Sequence, residues 1–290
     1  MTSVRVKVPA STANLGSGFD TLGMALGLYD EVEARVIDDG LKITVAGAGA
    51  GDVPCDEGHL VARAIRTACE AIGFPLPGLE LACRNAIPHA RGLGSSAAGV
   101  VAGVAAAYGL AGMETDDRAL QLAAEFEGHA DNAAASLLGG LVVTWTEGER
   151  YRALRLDPHP DVRPLLLIPG ESSSTHVTRQ LLPDRVPHAD AAFAAARTAL
   201  AVQAITLRPD LLLPGTADRL HQEYREAAWP ASLRAVRALR EQGAAAAISG
   251  AGPTVIVLTQ DGKLPQGVDL TGFDVRELPV DREGVQVSAI

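Results

Sequence analysis

The chain has 290 residues, 47% of them hydrophobic and only 4% aromatic, enough to bury a core in one large domain or two. Acidic residues outnumber basic ones by 35 to 25 for a formal net charge of −10, which disfavours nucleic acid or an anionic membrane as partner, because both require a dense basic patch. Cys55, Cys69 and Cys83 are odd in number and lack CxxC spacing, so they read as small buried hydrophobes, not as a disulfide framework or zinc site. The N-terminus alternates instead of presenting a charged start and an apolar run, and no apolar stretch reaches about 18 residues. A cytoplasmic protein is expected.

In chain order, "VRVKV" (Val4 to Val8), "LYDEVEARV" (Leu28 to Val36) and "LKITVAG" (Leu41 to Gly47) alternate with period two and predict strands. "HLVARAIRTACEAIG" (His59 to Gly73) has three-to-four spacing and a glycine stop, which predicts a helix, and "LELAC" (Leu79 to Cys83) another strand. "SAAGVVAGVAAAYGL" is long and uniformly small, suited to a central helix packed on most sides. Helices from Asp116 to Glu127 and Asn132 to Leu138 follow, then a strand from Leu141 to Trp145 and a surface turn near residue 148. The second half predicts strands at Tyr151 to Leu156 and Pro164 to Ile168, then helices at Asp190 to Ile205, Ala217 to Ala227 and Pro230 to Gln242. Two strands close it, Ala244 to Ser249 and Thr254 to Thr259, an order resembling a split β-α-β unit with extra helices. A domain boundary is expected near residue 150, dividing the chain into 1–150 and 151–290.

The stretch "PHARGLGSSAAGVV" (Pro88 to Val101) invites a phosphate-loop reading but lacks the lysine of GxxxxGK[ST]. Glycines at 92 and 94 allow a tight turn, Ser95 and Ser96 sit where a helix would begin, and first-turn N–H groups have no internal acceptor. Backbone donors and the positive end of a helix dipole can hold phosphate without lysine. Two other segments gather Ser, Thr, Asn and Gly and, each taken alone, read as loops: "PASTANLGSGFDTLG" (Pro9 to Gly23) and "SGAGPT" (Ser249 to Thr254).

Together these stretches resemble the signature motifs of the GHMP superfamily, the kinases named for galactokinase, homoserine kinase, mevalonate kinase and phosphomevalonate kinase. "PASTANLGSGFDTLGMAL", "EGHADNAAASLLGG", "SSTHVTRQLLP" and "LHQEYR" further resemble segments of the homoserine kinase family in order and spacing. The resemblance implies a two-domain α+β kinase with an N-terminal unit like ribosomal protein S5 domain 2 and a C-terminal ferredoxin-like split β-α-β unit. It implies ATP and L-homoserine as substrates, with Mg2+, and O-phospho-L-homoserine as product on the route to threonine. Carried over residue by residue, it places ATP against Pro88, Arg91, Gly92, Leu93, Gly94, Ser95, Ser96 and Ala97, and the amino acid against Asn14, Asp20, Asn132, Arg179 and Arg225. Ser96 with a glutamate near 125 to 127 would serve the metal, and Asn14, Asn132 and Glu127 would be catalytic. A homodimer stays open. The runner-up is a sibling kinase acting on mevalonate or an isoprenoid precursor, and a non-catalytic nucleic-acid-associated domain is the second class, which the acidic balance and intact loop oppose.

The chemistry supports these residue types independently. An amino acid with a side-chain hydroxyl calls for a carboxylate and amide oxygens at its ammonium, and arginine forks at its carboxylate. On a helix from Asp116, residues Ala119, Leu120, Leu122, Ala123 and Phe126 form one arc that includes Glu127 and leaves Glu125 on the solvent side. Glu127 is therefore the metal candidate. The same geometry puts a carboxylate at a helix C-terminus, where a cationic partner would offset the unfavourable dipole.

Overall fold

The computed structural model describes residues 2–170 and 178–290. Most of the segment "SSTHVTRQLLP" before Arg179, His176 included, lies outside the described residues. Two sheets organise the chain. The first has seven strands: β1 (Ser3–Asn14), β2 (Gly18–Ile37), β3 (Gly40–Gly47), β4 (Gly78–Asn85), β5 (Leu141–Glu147), β6 (Arg150–Leu156) and β11 (Gln286–Ala289). The long β2 serves two neighbours: Leu22 to Met24 pair with β5 and Glu31 to Ile37 with β4, while β3 runs parallel to β4.

The second sheet, in the order β10 (Phe273–Glu277), β7 (Arg163–Pro169), β9 (Val255–Thr259), β8 (Ala245–Ile248), is antiparallel throughout. Its side chains alternate as a two-sided sheet requires. Leu165, Leu167, Val255 and Val257 pack with Leu233, Val236 and Leu239 of α6 (Pro230–Glu241), whereas Leu166, Ile168, Ile256 and Leu258 join the main core with Ala201, Ala204 and Ile205 of α5 (His188–Thr206). The alternation joins the two sheets through one continuous apolar core.

Helices α1 (Leu60–Ile72), α2 (Ser95–Leu110), α3 (Asp117–Glu127) and α4 (Asp131–Leu138) complete the first half. Gly73 closes α1 in the left-handed conformation, and the Asp116 carboxylate caps α3 by accepting from the N–H groups of Arg118 and Ala119. Helix α2 is buried along nearly its whole length against α1, α3, α4 and β1, as its small residues suggested.

Four differences from the sequence expectations have physical causes. The stretch Ala217 to Ala227 is not a helix: the Asp218 carboxylate accepts from the N–H groups of Leu220, His221 and Gln222, which favours local turns, and only a 3-10 turn forms at Glu223–Arg225. The polar stretch from Pro9 is no extended loop, since β1 runs to Asn14 and β2 resumes at Gly18. Cys55 is exposed; only Cys69 and Cys83 are buried, their thiols pushed up to about 11 and about 12, first by burial. Strand pairing does not follow a cut at residue 150, because β6 and β11 complete the first sheet from beyond it.

Helices α1 and α2 pack tightly at Gly103, where an added Cβ would lie 2.6 Å from Ala64 Cβ and 2.7 Å from the Val61 carbonyl oxygen. Gly103→Ala gains about 1 kcal/mol in helix propensity but overpacks the α1–α2 contact at a cost of about 1–3 kcal/mol. The variant should unfold at lower urea than the native chain; a higher midpoint would contradict the contact.

Candidate active site

Three segments far apart in sequence are joined by their backbones. The Ser11 N–H donates to the Leu93 carbonyl at 3.1 Å, the Gly250 N–H to Ala13 at 3.0 Å, and the Thr254 N–H to Arg91 at 3.3 Å. Ser249 Oγ lies 2.5 Å from the Gly92 carbonyl oxygen and 2.9 Å from Thr12 Oγ1. The close fit explains the glycines. At Gly94 (φ +66°) a Cβ would lie 2.1 Å from Ser11 Oγ, and at Gly92 (φ +75°) 2.4 Å from the Ser249 carbonyl oxygen. Upstream, buried Asp30 accepts from the N–H groups of Ala86 and Ile87 at 2.7 and 2.9 Å and fixes the loop's entry; burial raises its pKa against those bonds. The loop delivers the N-terminus of α2, and its first-turn donors, into a cleft of about 430 Å³.

That cleft brings together Asn14, Asp20, Arg91, Gly92, Leu93, Gly94, Ser95, Ser96, Glu127, Asn132, Arg179 and Arg225. Of the sequence candidates, Pro88 and Ala97 are not among its lining residues. Glu127 turns toward α2 and accepts from Ser96 Oγ at 2.5 Å, whereas Glu125 is exposed and accepts from Gln121 on its own helix. Arg91 lines the cleft, but its guanidinium donates to the carbonyls of Pro169 at 3.1 Å, Gly170 at 2.6 Å and His89 at 3.3 Å. Those bonds tie the phosphate loop to the end of β7.

At the opposite end, Asn14 and Asp20 both hold left-handed backbone angles, φ +69° and +53°, a strained conformation for non-glycine residues although Asn and Asp tolerate it best. Asn14 accepts from the Asp20 N–H at 3.0 Å and donates to the Gly250 carbonyl at 2.9 Å, so one amide orients the acidic residue and ties it to the C-terminal segment. Asp20 pairs with Arg179. Arg225 is 3% exposed; its Nη1 donates to the Gly250 carbonyl at 3.1 Å and to His221 Nδ1 at 2.9 Å, while its Nε is buried with no partner among the described residues. Burial pushes the guanidinium pKa down to about 10, leaving it charged at neutral pH. The Phe19 ring centroid lies 5.6 Å from the guanidinium carbon of Arg179 and 5.9 Å from that of Arg225.

Sequence reasoning missed Ser11, Phe19, Asp131 as an anchor, and Gly250. Ser11 donates to Asn132 Oδ1 at 3.0 Å and so orients that amide. Asp131, 2% exposed, accepts from the Asn132 N–H at 2.7 Å and from His129 Nδ1 at 3.0 Å. A DN pair at a helix start was the signal available for Asp131; nothing in the sequence marks a glycine carbonyl as a shared acceptor.

The model of the GHMP kinases N terminal domain matches residues 59–140 and that of the GHMP kinases C terminal domain residues 199–268. Homoserine kinase of Rhodococcus erythropolis is 53% identical over 303 aligned positions, covering 99% of this chain and 96% of that protein, and homoserine kinase of Streptomyces avermitilis is 49% identical, covering 98% and 95%. The chain belongs to the homoserine kinase family of the GHMP kinases. The crystal structure of homoserine kinase from Cytophaga hutchinsonii superposes with a TM-score of 0.88 at 28% identity, covering 99% of this chain and 98% of that one. A crystal structure of mevalonate kinase, at 14% identity and TM-score 0.66, shares the fold. The family's two-domain α+β architecture is thus the one described above.

The His129–Asp131 contact has a pH signature. The bond to Asp131 is the largest cause raising the His129 pKa above its ordinary 6.5, with burial opposing. A histidine raised in the folded state contributes stability that is complete below about 6.5 and lost as pH rises through the raised value. His129 should titrate above 6.5 by NMR, and Asp131→Asn should bring it down; an unchanged midpoint in the variant would contradict the pairing.

Proposed function

We propose that this cleft binds ATP against Gly92 to Ser96 and L-homoserine between Asn14, Asp20, Asn132, Arg179 and Arg225, and transfers the γ-phosphoryl group to the side-chain hydroxyl. ATP-dependent phosphorylation of homoserine, a step on the route to threonine, is the activity that family membership carries. The observation supporting the residue assignment is Arg225. Both Nη1 hydrogens are committed, so the Nε–Nη2 edge remains, and that edge is the two-donor fork that fits a carboxylate. Asp20 then answers the substrate ammonium once Arg179 turns to the carboxylate. A mevalonate-like acceptor would satisfy the fork and leave Asp20 without a cation to replace Arg179.

Phosphoryl transfer asks the protein mainly for in-line positioning and charge neutralisation. In this reading the α2 N-terminus and loop amides hold the triphosphate, and the amides of Asn14 and Asn132 orient the hydroxyl. Asp131 Oδ1 accepts from the Asn132 N–H and His129 Nδ1, a positioning role for that amide, and since phosphoryl transfer asks little of a base we favour direct attack by the oriented hydroxyl. Ser96 and Glu127 fit Mg2+: two hard oxygen donors beside the phosphate cradle, with phosphate and water completing the shell, is the donor set that ion accepts. Bound there, the ion would neutralise phosphate charge. We further propose an ATP-binding unit of residues 1–150 completed by β6 and β11, and a cytoplasmic setting, where ATP and free amino acids meet.

An ADP-release assay over hydroxyl substrates should show strict preference for L-homoserine; equal turnover of mevalonate would overturn the substrate. Arg225→Leu should weaken homoserine binding by about 2–5 kcal/mol by analogy with truncated buried charge pairs, and Arg225→Lys should recover only part. Glu127→Gln should lower kcat far more than it alters homoserine KM while Glu125→Gln does little; equal effects would remove Glu127 from the metal site.

A further inference from the structure

His221 is wholly buried, four residues before Arg225, and does not line the cleft. Its Nε2 lies 2.7 Å from the Gly16 carbonyl oxygen and its Nδ1 2.9 Å from Arg225 Nη1. A guanidinium nitrogen only donates, so Nδ1 is the acceptor and the ring proton sits on Nε2, donating to Gly16. The Phe19 ring stacks on the imidazole, with centroids 5.2 Å apart and planes at 28°, which blocks rotation of the ring. Nη1 is thereby held from two sides, by His221 and by the Gly250 carbonyl, and the planar guanidinium cannot turn about its Cζ–Nε bond without breaking both bonds.

The geometry points to His221 as a positioning residue for substrate recognition: by accepting from Nη1 in its Nε2–H tautomer, it fixes the Nε–Nη2 edge of Arg225 for the substrate carboxylate. The inference rests on the reading of Arg225 as the carboxylate clamp. It also couples that clamp to the β1–β2 turn, because the same ring bonds Gly16. Arg225, Asp218 and Asp20 are the charged groups around the imidazole; burial, the largest influence, together with Arg225 favours its neutral form, the state the acceptor role requires.

The test separates the two ring nitrogens. Asn at 221 places its carboxamide oxygen near the Nδ1 position and keeps an acceptor for Arg225, whereas Gln reaches the Nε2 position and keeps only the bond to Gly16. His221→Asn should hold its homoserine KM close to native, and His221→Gln should raise it about tenfold, the worth of one charge-assisted hydrogen bond, with ATP KM unmoved in both. His221→Gln should also discriminate less against 3-aminopropan-1-ol, which lacks the carboxylate. A homoserine KM for the Gln variant at or below that of the Asn variant overturns the proposal, as do matching rises in the ATP and homoserine KM. Nitrogen-15 NMR of the native enzyme needs no substitution: a proton on Nε2 supports the role, and a proton on Nδ1 overturns it. If Arg225→Leu keeps the full preference for homoserine over 3-aminopropan-1-ol, the clamp reading itself fails and this inference falls with it, an outcome distinct from a failure confined to His221.

Discussion

Everything in the cleft depends on the backbone contacts that lock three distant segments together: Ser11 to Leu93, Ala13 to Gly250 and Arg91 to Thr254. A Cβ at Gly92 would meet the main chain of Ser249 and Gly252, and one at Gly94 the Ser11 hydroxyl, so neither glycine can be widened without pushing the segments apart. The entropy of ordering the loops is spent on folding, so in the proposed reading the phosphate cradle and amino-acid pocket would already be set relative to each other when substrates arrive. Arg91 adds a fourth tie, from the phosphate loop to the end of β7.

On that frame the charges are arranged as a set of exchangeable pairs. Arg225 is a buried cation whose guanidinium is half satisfied by the protein, and a buried unpaired donor carries a desolvation penalty until a ligand meets it. Asp20 and Arg179, more exposed, pair with each other across the cleft mouth. In the proposed reading, a zwitterionic amino acid would replace that pair with two new ones and satisfy Arg225 as well, whereas a ligand with a single charge would leave one partner stranded. Selectivity then arises from unpaired charge as much as from attraction.

Much of this was legible in the sequence because it followed local rules. Period-two patterns located β1, β3, β4, β5 and the second half of β2, three-to-four spacing located α1, uniformly small residues located α2, and the arc on α3 put Glu127, not Glu125, toward the cleft. Non-local effects were not legible. The helical pattern at Ala217 to Ala227 lost to the side chain of Asp218, which caps turns at three successive N–H groups. Strand β11 is short, exposed and four residues long, so its pairing with β1 leaves no apolar signature. Gly94 reads as a tight-turn glycine; only the fold shows that the space a side chain would need there is filled by Ser11. His221 is one of seven histidines in the sequence, and only the fold places it against Arg225.

The most direct measurement is a crystal structure with L-homoserine and a non-hydrolysable ATP analogue. The account predicts the substrate carboxylate on Arg225 Nε and Nη2, the ammonium on Asp20 with the Asp20–Arg179 pair opened, and the triphosphate against the N-terminus of α2. An intact Asp20–Arg179 pair with the carboxylate bound away from Arg225 would contradict it.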